Sequence, residues 1–289
     1  MRLGCTFFAP QSAAELGALV DKLDTYGVSA VWAPRNLAEI PQEQCDALGE
    51  AARSADLVIG EALFAGNLLT EDKELRAQRI KAARALLLKA DRMGCRSVFT
   101  LIGTRDKSDR ILAPHPYLFT DDCIAETRDN MLRILDGLEL RQTKLGLEPW
   151  FTSFFYQPED MLAFVESVGH PNLGVHLDVV NMTSHASFYR TGDLVERAFR
   201  LLSKHVVSVH LKDIAWDGGH MGLRWNEVYI GDGSFDVATY LRHAGTLPAD
   251  MTCYCEHLPE ERDYAVNFAR LHHLAARNGQ AFKRRGMAN

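Results

Sequence analysis

Residues 145–150 read LGLEPW, with apolar neighbours on both sides of a glutamate at 148. The run suits a buried strand, and a carboxylate there loses much of its hydration unless a cation or hydrogen-bond donors replace the water. Glu148 therefore requires a partner elsewhere in the chain.

Working outward, this run is the fifth of eight short β-like stretches: RLGCTFF (2–8), VSAVWAP (28–34), DLVIGEALF (56–64), SVFTLIG (97–103), KLGLEPW (144–150), LGVHLDVV (173–180), VVSVHLK (206–212) and MTCYCEHL (251–258). Amphipathic stretches alternate with them, among them 12–26, 70–93, 121–142 and 258–279, which predicts parallel βα units. Eight such pairs in 289 residues fit a closed (β/α)8 TIM barrel better than an open doubly wound sheet. No G-x-G-x-x-G follows the first strand and no G-x-x-x-x-G-K-[ST] occurs, which weighs further against the common nucleotide-binding sheets. With 47% apolar residues and no Pro-, Gly- or Ser-rich linker, the chain is expected to form a single domain over 1–289.

The charge sum of 32 basic and 38 acidic residues is −6, without a basic stripe, so nucleic acid is not an expected partner. Nowhere do 18 apolar residues run together, and the opening MRLGCTFFAP lacks the pattern of a secretory signal. A soluble, cytoplasmic protein with no membrane partner is expected. The six cysteines lack the spacing of a disulfide framework and read as reduced.

In a barrel of this kind the C-terminal strand ends build the active site. Strand alternation places His176 with Asp178 on one face, His210 with Lys212, and Glu256 opposite Cys253 and Cys255. Glu148, Asp178, His210 and Glu256 then converge near the barrel axis. Three carboxylates so close cannot all stay ionised without a cation, and oxygen ligands with one nitrogen suit a divalent metal ion. Manganese (Mn²⁺) is the first choice, with Mg²⁺, Co²⁺ and Zn²⁺ as the others. A plain salt bridge from Lys212 to Asp178 is the competing explanation for any single member of the set.

Around this cluster, His176 is a candidate for contact with the substrate or with a carboxylate behind the ligands, or a satisfied core histidine, and Lys212 for binding an anionic group or polarising a carbonyl. The connections 103–120 and 213–233 are long for βα loops, a length usually spent on binding. His115 in the first of them is a candidate for the pocket mouth. Trp150, Trp32, Phe7 and Trp216 could form an apolar wall against the C–H face of a ligand or simply pack. Glu61, among apolar residues of the third strand, is a candidate for a further polar group of the pocket, or the partner of an arginine.

The order Glu, Asp, His, Glu, carried by GLEPW, LDVVN, VHLKD and YCEHL, together with HLKD at 210–213 and GDGSFD at 231–236, resembles the xylose isomerase-like superfamily of sugar isomerases and epimerases. Endonuclease IV-type repair enzymes, inosose dehydratases and hydroxypyruvate isomerases share that superfamily. The resemblance is strongest from about residue 145 to about residue 275. It implies one divalent metal held by Glu148, Asp178, His210 and Glu256, with Glu148 and Glu256 as catalytic carboxylates on opposite faces of a ketose, sugar acid or related polyol. Proton transfer through an enediolate would give an isomerase or epimerase. A lyase of the same superfamily, a keto-sugar-acid decarboxylase or keto-inositol dehydratase, is the alternative. The resemblance also implies a small carbohydrate substrate and a homo-oligomer.

The chain departs from many ketose epimerases of this group at two points. Their Asp-x-x-His on strand six ends here in Asn181, and the arginine that often follows the strand-seven histidine is missing from its usual place. Asn181, Arg224 and His220 are the candidates for the vacated substrate contacts, although a solvated loop charge is the simpler reading of Arg224 and of His220. A DNA-repair role would need a trinuclear zinc site and a basic surface, neither of which the sequence suggests. A non-catalytic sugar-sensing barrel is the remaining class.

Overall fold

The computed structural model describes residues 1–219 and 224–287. The first half contains β1 (Arg2–Cys5), α1 (Ala13–Tyr26), β2 (Ala30–Val31), α2 (Gln42–Ser54), β3 (Val58–Ile59), β4 (Glu61–Phe64), α3 (Lys73–Met93), β5 (Ser97–Thr100) and α4 (Asp121–Leu135). The second contains β6 (Lys144–Leu147), α5 (Pro158–Val168), β7 (Leu173–Leu177), α6 (Thr191–Leu202), β8 (Val206–Leu211), β9 (Asp213–Trp216), β10 (Trp225–Val228), α7 (Val237–Ala244), β11 (Thr252–Cys255) and α8 (Glu261–Arg277).

Seven strands form a parallel sheet in the order β1-β11-β8-β7-β6-β5-β4, and β2 pairs with β3 in the gap between its ends. On one side Ser29 N–H donates to Leu3 O at 3.0 Å and Trp32 N–H to Phe8 O at 2.8 Å; on the other, Ala33 N–H donates to Glu61 O at 2.9 Å. These bonds curl the sheet into the expected TIM barrel. Helices cover its outside, so the strands are buried on both faces and read as apolar runs rather than alternations.

The predicted third strand is two. Gly60 interrupts it, donating its N–H to the Tyr254 hydroxyl at 3.1 Å and to Val31 O at 3.0 Å. A Cβ at position 60 would collide with that hydroxyl. Tyr254 thus spans the barrel interior and, by donating to Val31 O at 2.6 Å, ties β11 to β2. Within the barrel it packs with Ala30, Trp32 and Phe99, while the larger core lies between sheet and helices.

Local sequence sets the helix ends. Ser12 caps α1 by accepting from Glu15 N–H, Asp72 caps α3 from Glu74 and Leu75, and Thr120 caps α4 from Cys123. The predicted helix 121–142 stops early, at Leu135. Gly137 turns into the left-handed region at φ 71°, and the Asp91 carboxylate captures the N–H groups of Arg141, Gln142 and Thr143 at 3.0, 2.8 and 2.9 Å. Those captured amides begin the approach to β6, which carries Glu148 at its end.

The long 213–233 connection contains an antiparallel hairpin of β9 and β10. Asp213 anchors it: Oδ1 accepts N–H from Ile214 and Phe235 at 2.8 and 3.0 Å, and Oδ2 from Gly231 and Gly233 at 2.8 and 3.1 Å. The HLKD and GDGSFD motifs are therefore one folded unit. All six cysteines are buried and free, and no helix among the described residues is long and apolar enough to cross a membrane.

Candidate metal centre

Each of the four carboxylate and imidazole groups is delivered by the C-terminal end of a different strand. Glu148 follows β6, Asp178 follows β7, His210 lies in β8 and Glu256 follows β11. Each offers one ligand atom, and these four atoms lie within 4.8 Å of one another. All four residues are buried, between 0% and 7% exposed.

Asp178 is held by its own turn, Oδ1 accepting from Val180 N–H at 2.9 Å and Asn181 N–H at 3.3 Å. Its Oδ2 lies 2.8 Å from Lys212 Nζ. His210 Nδ1 lies 2.8 Å from Glu256 Oε2. Neither Asp178 Oδ2 nor His210 Nδ1 has an aligned hydrogen bond, so both are charge contacts that leave a ligand lone pair or proton unused. Lys212 Nζ also donates to Glu256 Oε1 at 2.7 Å and stands 3.6 Å from Glu227 Oε1.

Burial, reinforced by the charges of Glu256 and Asp178, pushes the Glu148 carboxyl up to about 8. Burial likewise raises Asp178 despite the ammonium of Lys212. Glu256 moves the other way: burial opposes ionisation, but His210 and Lys212 together hold it well below the usual carboxylate range. The set is rich in oxygen and carries one imidazole, and burial disfavours ionisation of Glu148 and Asp178. Those donors fit a hard or borderline divalent ion. Glu148, Asp178, His210 and Glu256 could hold it.

A second layer lies beneath. Glu61, fully buried, places Oε1 2.6 Å from His210 Nε2 and Oε2 3.3 Å from His176 Nδ1. The partner of Glu61 is thus a pair of histidines, not an arginine. His176 Nδ1 also meets Ser208 Oγ at 2.6 Å, and its ring stacks on Phe99 with centroids 4.1 Å apart. With no exposed surface, His176 sits as a buried histidine beside the Glu61 carboxylate, two of the readings the sequence leaves open, and it is not among the residues that line the adjoining cavity.

A cavity of about 300 Å³ opens beside the cluster, lined by Glu148, Lys212, Glu256 and His257 and by Trp150, Trp32 and Phe99. Lys212 and Trp150, both candidates from the sequence, line this cavity. Asn181 instead points at the cluster, its Nδ2 donating to Glu148 Oε1 at 2.8 Å. His115 does not line this cavity: its Nδ1 accepts from Tyr117 N–H at 3.2 Å and caps a 3-10 turn, while Ile111 and Leu112 of the same loop reach the wall. Arg224 is exposed at the foot of β10 and is not among the lining residues; His220 lies outside the described residues. Phe7 and Trp216 are exposed beyond the wall. A larger hollow of about 700 Å³, lined by Arg96, Lys144, Leu173 and Thr252, sits at the opposite end of the barrel and touches none of the cluster.

Sequence reading missed Glu227. It lies on β10, where nothing marks it out, yet its carboxylate reaches His257 Nδ1 at 2.9 Å as well as approaching Lys212. His257 adopts φ 60°, a strained conformation for a residue other than glycine, and its Nε2 lies 3.3 Å from Glu256 Oε2.

The fold is shared with solved proteins. A D-tagatose 3-epimerase-like protein superposes with a TM-score of 0.69 at 16% identity, covering 96% of this chain and 98% of the other. An L-ribulose 3-epimerase gives 0.66 at 17%, covering 96% and 93%. A xylose isomerase-like TIM barrel protein from Mycobacterium smegmatis, in complex with magnesium, gives 0.63 at 16%, covering 96% and 97%. No curated protein matches the sequence. The sequence profile described as xylose isomerase-like TIM barrel matches residues 13–273, and the chain belongs to that family.

Proposed function

We propose that the protein is a divalent-metal-dependent isomerase or epimerase acting on a ketose, sugar acid or related polyol. The observation that carries this reading is the convergence of ligand atoms from Glu148, Asp178, His210 and Glu256 to within 4.8 Å of one another, beside a cavity that Glu148 and Glu256 line. Relatives of the same fold include an L-ribulose 3-epimerase, and another was solved with magnesium, which supports both the substrate class and the ion.

When bound, a divalent ion supplies positive charge that stabilises the anion formed beside a substrate carbonyl. The chain's own residues supply the rest. Glu148 and Glu256 flank the cavity floor as the two proton carriers: one carboxylate takes the proton from the carbon next to the carbonyl and the other returns one. Return to the opposite face of the same carbon inverts it; return to the neighbouring carbon moves the carbonyl. Asn181 orients Glu148 through its 2.8 Å hydrogen bond. His210 is oriented from below by Glu61, and Trp32 and Phe99 keep bulk water from the reacting carbons.

The buried Lys212 ammonium at the cavity wall favours a second reading, a lyase acting on an acidic keto-sugar or keto-inositol. One experiment separates the two. The protein is incubated in D₂O with ketoses, sugar acids and keto-inositols, with Mn²⁺, Mg²⁺, Co²⁺ or Zn²⁺ in turn. Deuterium entering an otherwise intact carbon skeleton supports isomerisation; release of water or carbon dioxide identifies the lyase. Metal-dependent binding with neither exchange nor release would leave a sensing barrel.

A further inference from the structure

The cavity wall is chemically unlike a polyol. Among the described residues, beyond the cluster and its two basic neighbours, Lys212 and His257, its polar side chains are Thr6 and Arg35, whereas Trp32, Leu63, Leu101, Ile111, Leu112 and Trp150 supply an apolar surface. A second cleft of about 280 Å³ adjoins it, sharing Trp32, Arg35 and Leu63, and is otherwise apolar, with Leu37, Phe64 and Leu86. The apolar character continues to the rim. Phe7, Leu112, Phe151 and Trp216, each 40% to 54% exposed, sit on connections that leave the same end of the barrel. Exposed apolar groups gathered around one opening mark a binding surface more often than chance scatter does.

A sugar chain extending from the metal centre into this space would bring hydroxyl groups that lose water and find few partners. Arg35 already spends one N–H on Thr6 O, at 2.6 Å. An unpaired buried hydroxyl is penalised, whereas an alkyl or aryl group gains by leaving water. The two clefts together also exceed what the reacting carbons alone need.

We infer that the substrate is a keto-sugar or hydroxyketone whose portion beyond the reacting carbons carries an apolar, preferably aromatic, group that lies against Leu63, Leu101, Ile111 and Leu112 and extends past Trp32 toward Leu37 and Leu86. This inference rests on the enolising reading proposed above and adds the class of substituent. Arg35, which lines both clefts, stands beside that group.

The test compares two hydroxyketones that share carbons 1 to 3, D-fructose with a polyol tail and 1,3-dihydroxy-4-phenylbutan-2-one with an aryl tail. Deuterium exchange from D₂O in the presence of Mn²⁺ and binding by calorimetry are both measured. The aryl probe is expected to exchange with kcat/KM about tenfold or more above D-fructose, within the roughly hundredfold range over which apolar pockets discriminate against a hydroxyl. Leu63→Asn, at a side chain 43% exposed, is expected to reduce that ratio severalfold while leaving the fold intact. Equal exchange, or faster exchange with D-fructose, overturns the inference and leaves the enolising reading standing. Failure of both probes to exchange removes the enolising reading and this inference with it.

Discussion

The carboxylate of Glu61 lies 2.6 Å from Nε2 of His210, directly beneath the ring whose other nitrogen faces Glu256. One contact therefore fixes which imidazole nitrogen is free for the cluster. Burial opposes charge on Glu61, but the two histidines beside it hold its carboxyl down to about 2, so it acts as an anion.

Glu61→Gln keeps the shape and removes the charge. Partners of this kind contribute about 10–100-fold in metal affinity. We expect the Kd for Mn²⁺, measured by calorimetry, to rise by about that factor while the far-ultraviolet circular dichroism is unchanged. A folded variant that binds as tightly as the parent would show Glu61 to be mere filling.

Lys212 is the ammonium that neutralises Asp178 and Glu256 when nothing else does, at 2.8 and 2.7 Å. Its removal leaves buried carboxylates facing one another, a cost that a divalent ion would relieve. Lys212→Met should lower Tm more without added metal than with saturating Mn²⁺. Differential scanning calorimetry at both conditions decides the matter; equal losses would mean that Lys212 and the ion do not share the same carboxylates.

Much of this was legible in the sequence, for reasons particular residues show. The barrel follows from eight apolar runs, and the cluster from the two-residue period that puts Asp178 and Glu256 inward. Side-chain reach was not legible. Strand alternation puts His176 on the same face as Asp178, yet cannot tell that it sits two residues deeper, under Phe99 and out of reach of the cavity. Glu227 was invisible because a hairpin folding back over the barrel brings it to His257, a contact with no local periodicity. The early end of α4 depended on Asp91, fifty residues before the amides it captures.

Asp213 gives the hairpin a similar anchor, four backbone N–H groups on one buried carboxylate. Asp213→Ala orphans all four and should cost at least about 2 kcal/mol. Hydrogen exchange locates the loss: residues 231–235 are expected to exchange faster than the barrel strands. Uniform acceleration across the whole chain would place the role of Asp213 in global stability instead.

Asp91 supplies a pH-dependent term away from the cluster. Burial raises its pKa, but the N–H groups of Thr143, Gln142 and Arg141 and the Arg141 guanidinium outweigh it, so the folded value is depressed. A depressed carboxyl contributes stability that is fully present above its unfolded pKa, about 3.9, and is lost as pH falls through the folded value. Asp91→Asn should therefore cost about 2 kcal/mol at pH 7, and the gap from the parent should begin to narrow as pH drops below about 4. Urea denaturation of both proteins from pH 7 to pH 3 measures the gap directly, because the other carboxyl groups titrate alike in each. A gap that stays constant over that range would show that the aspartate acts through shape rather than charge.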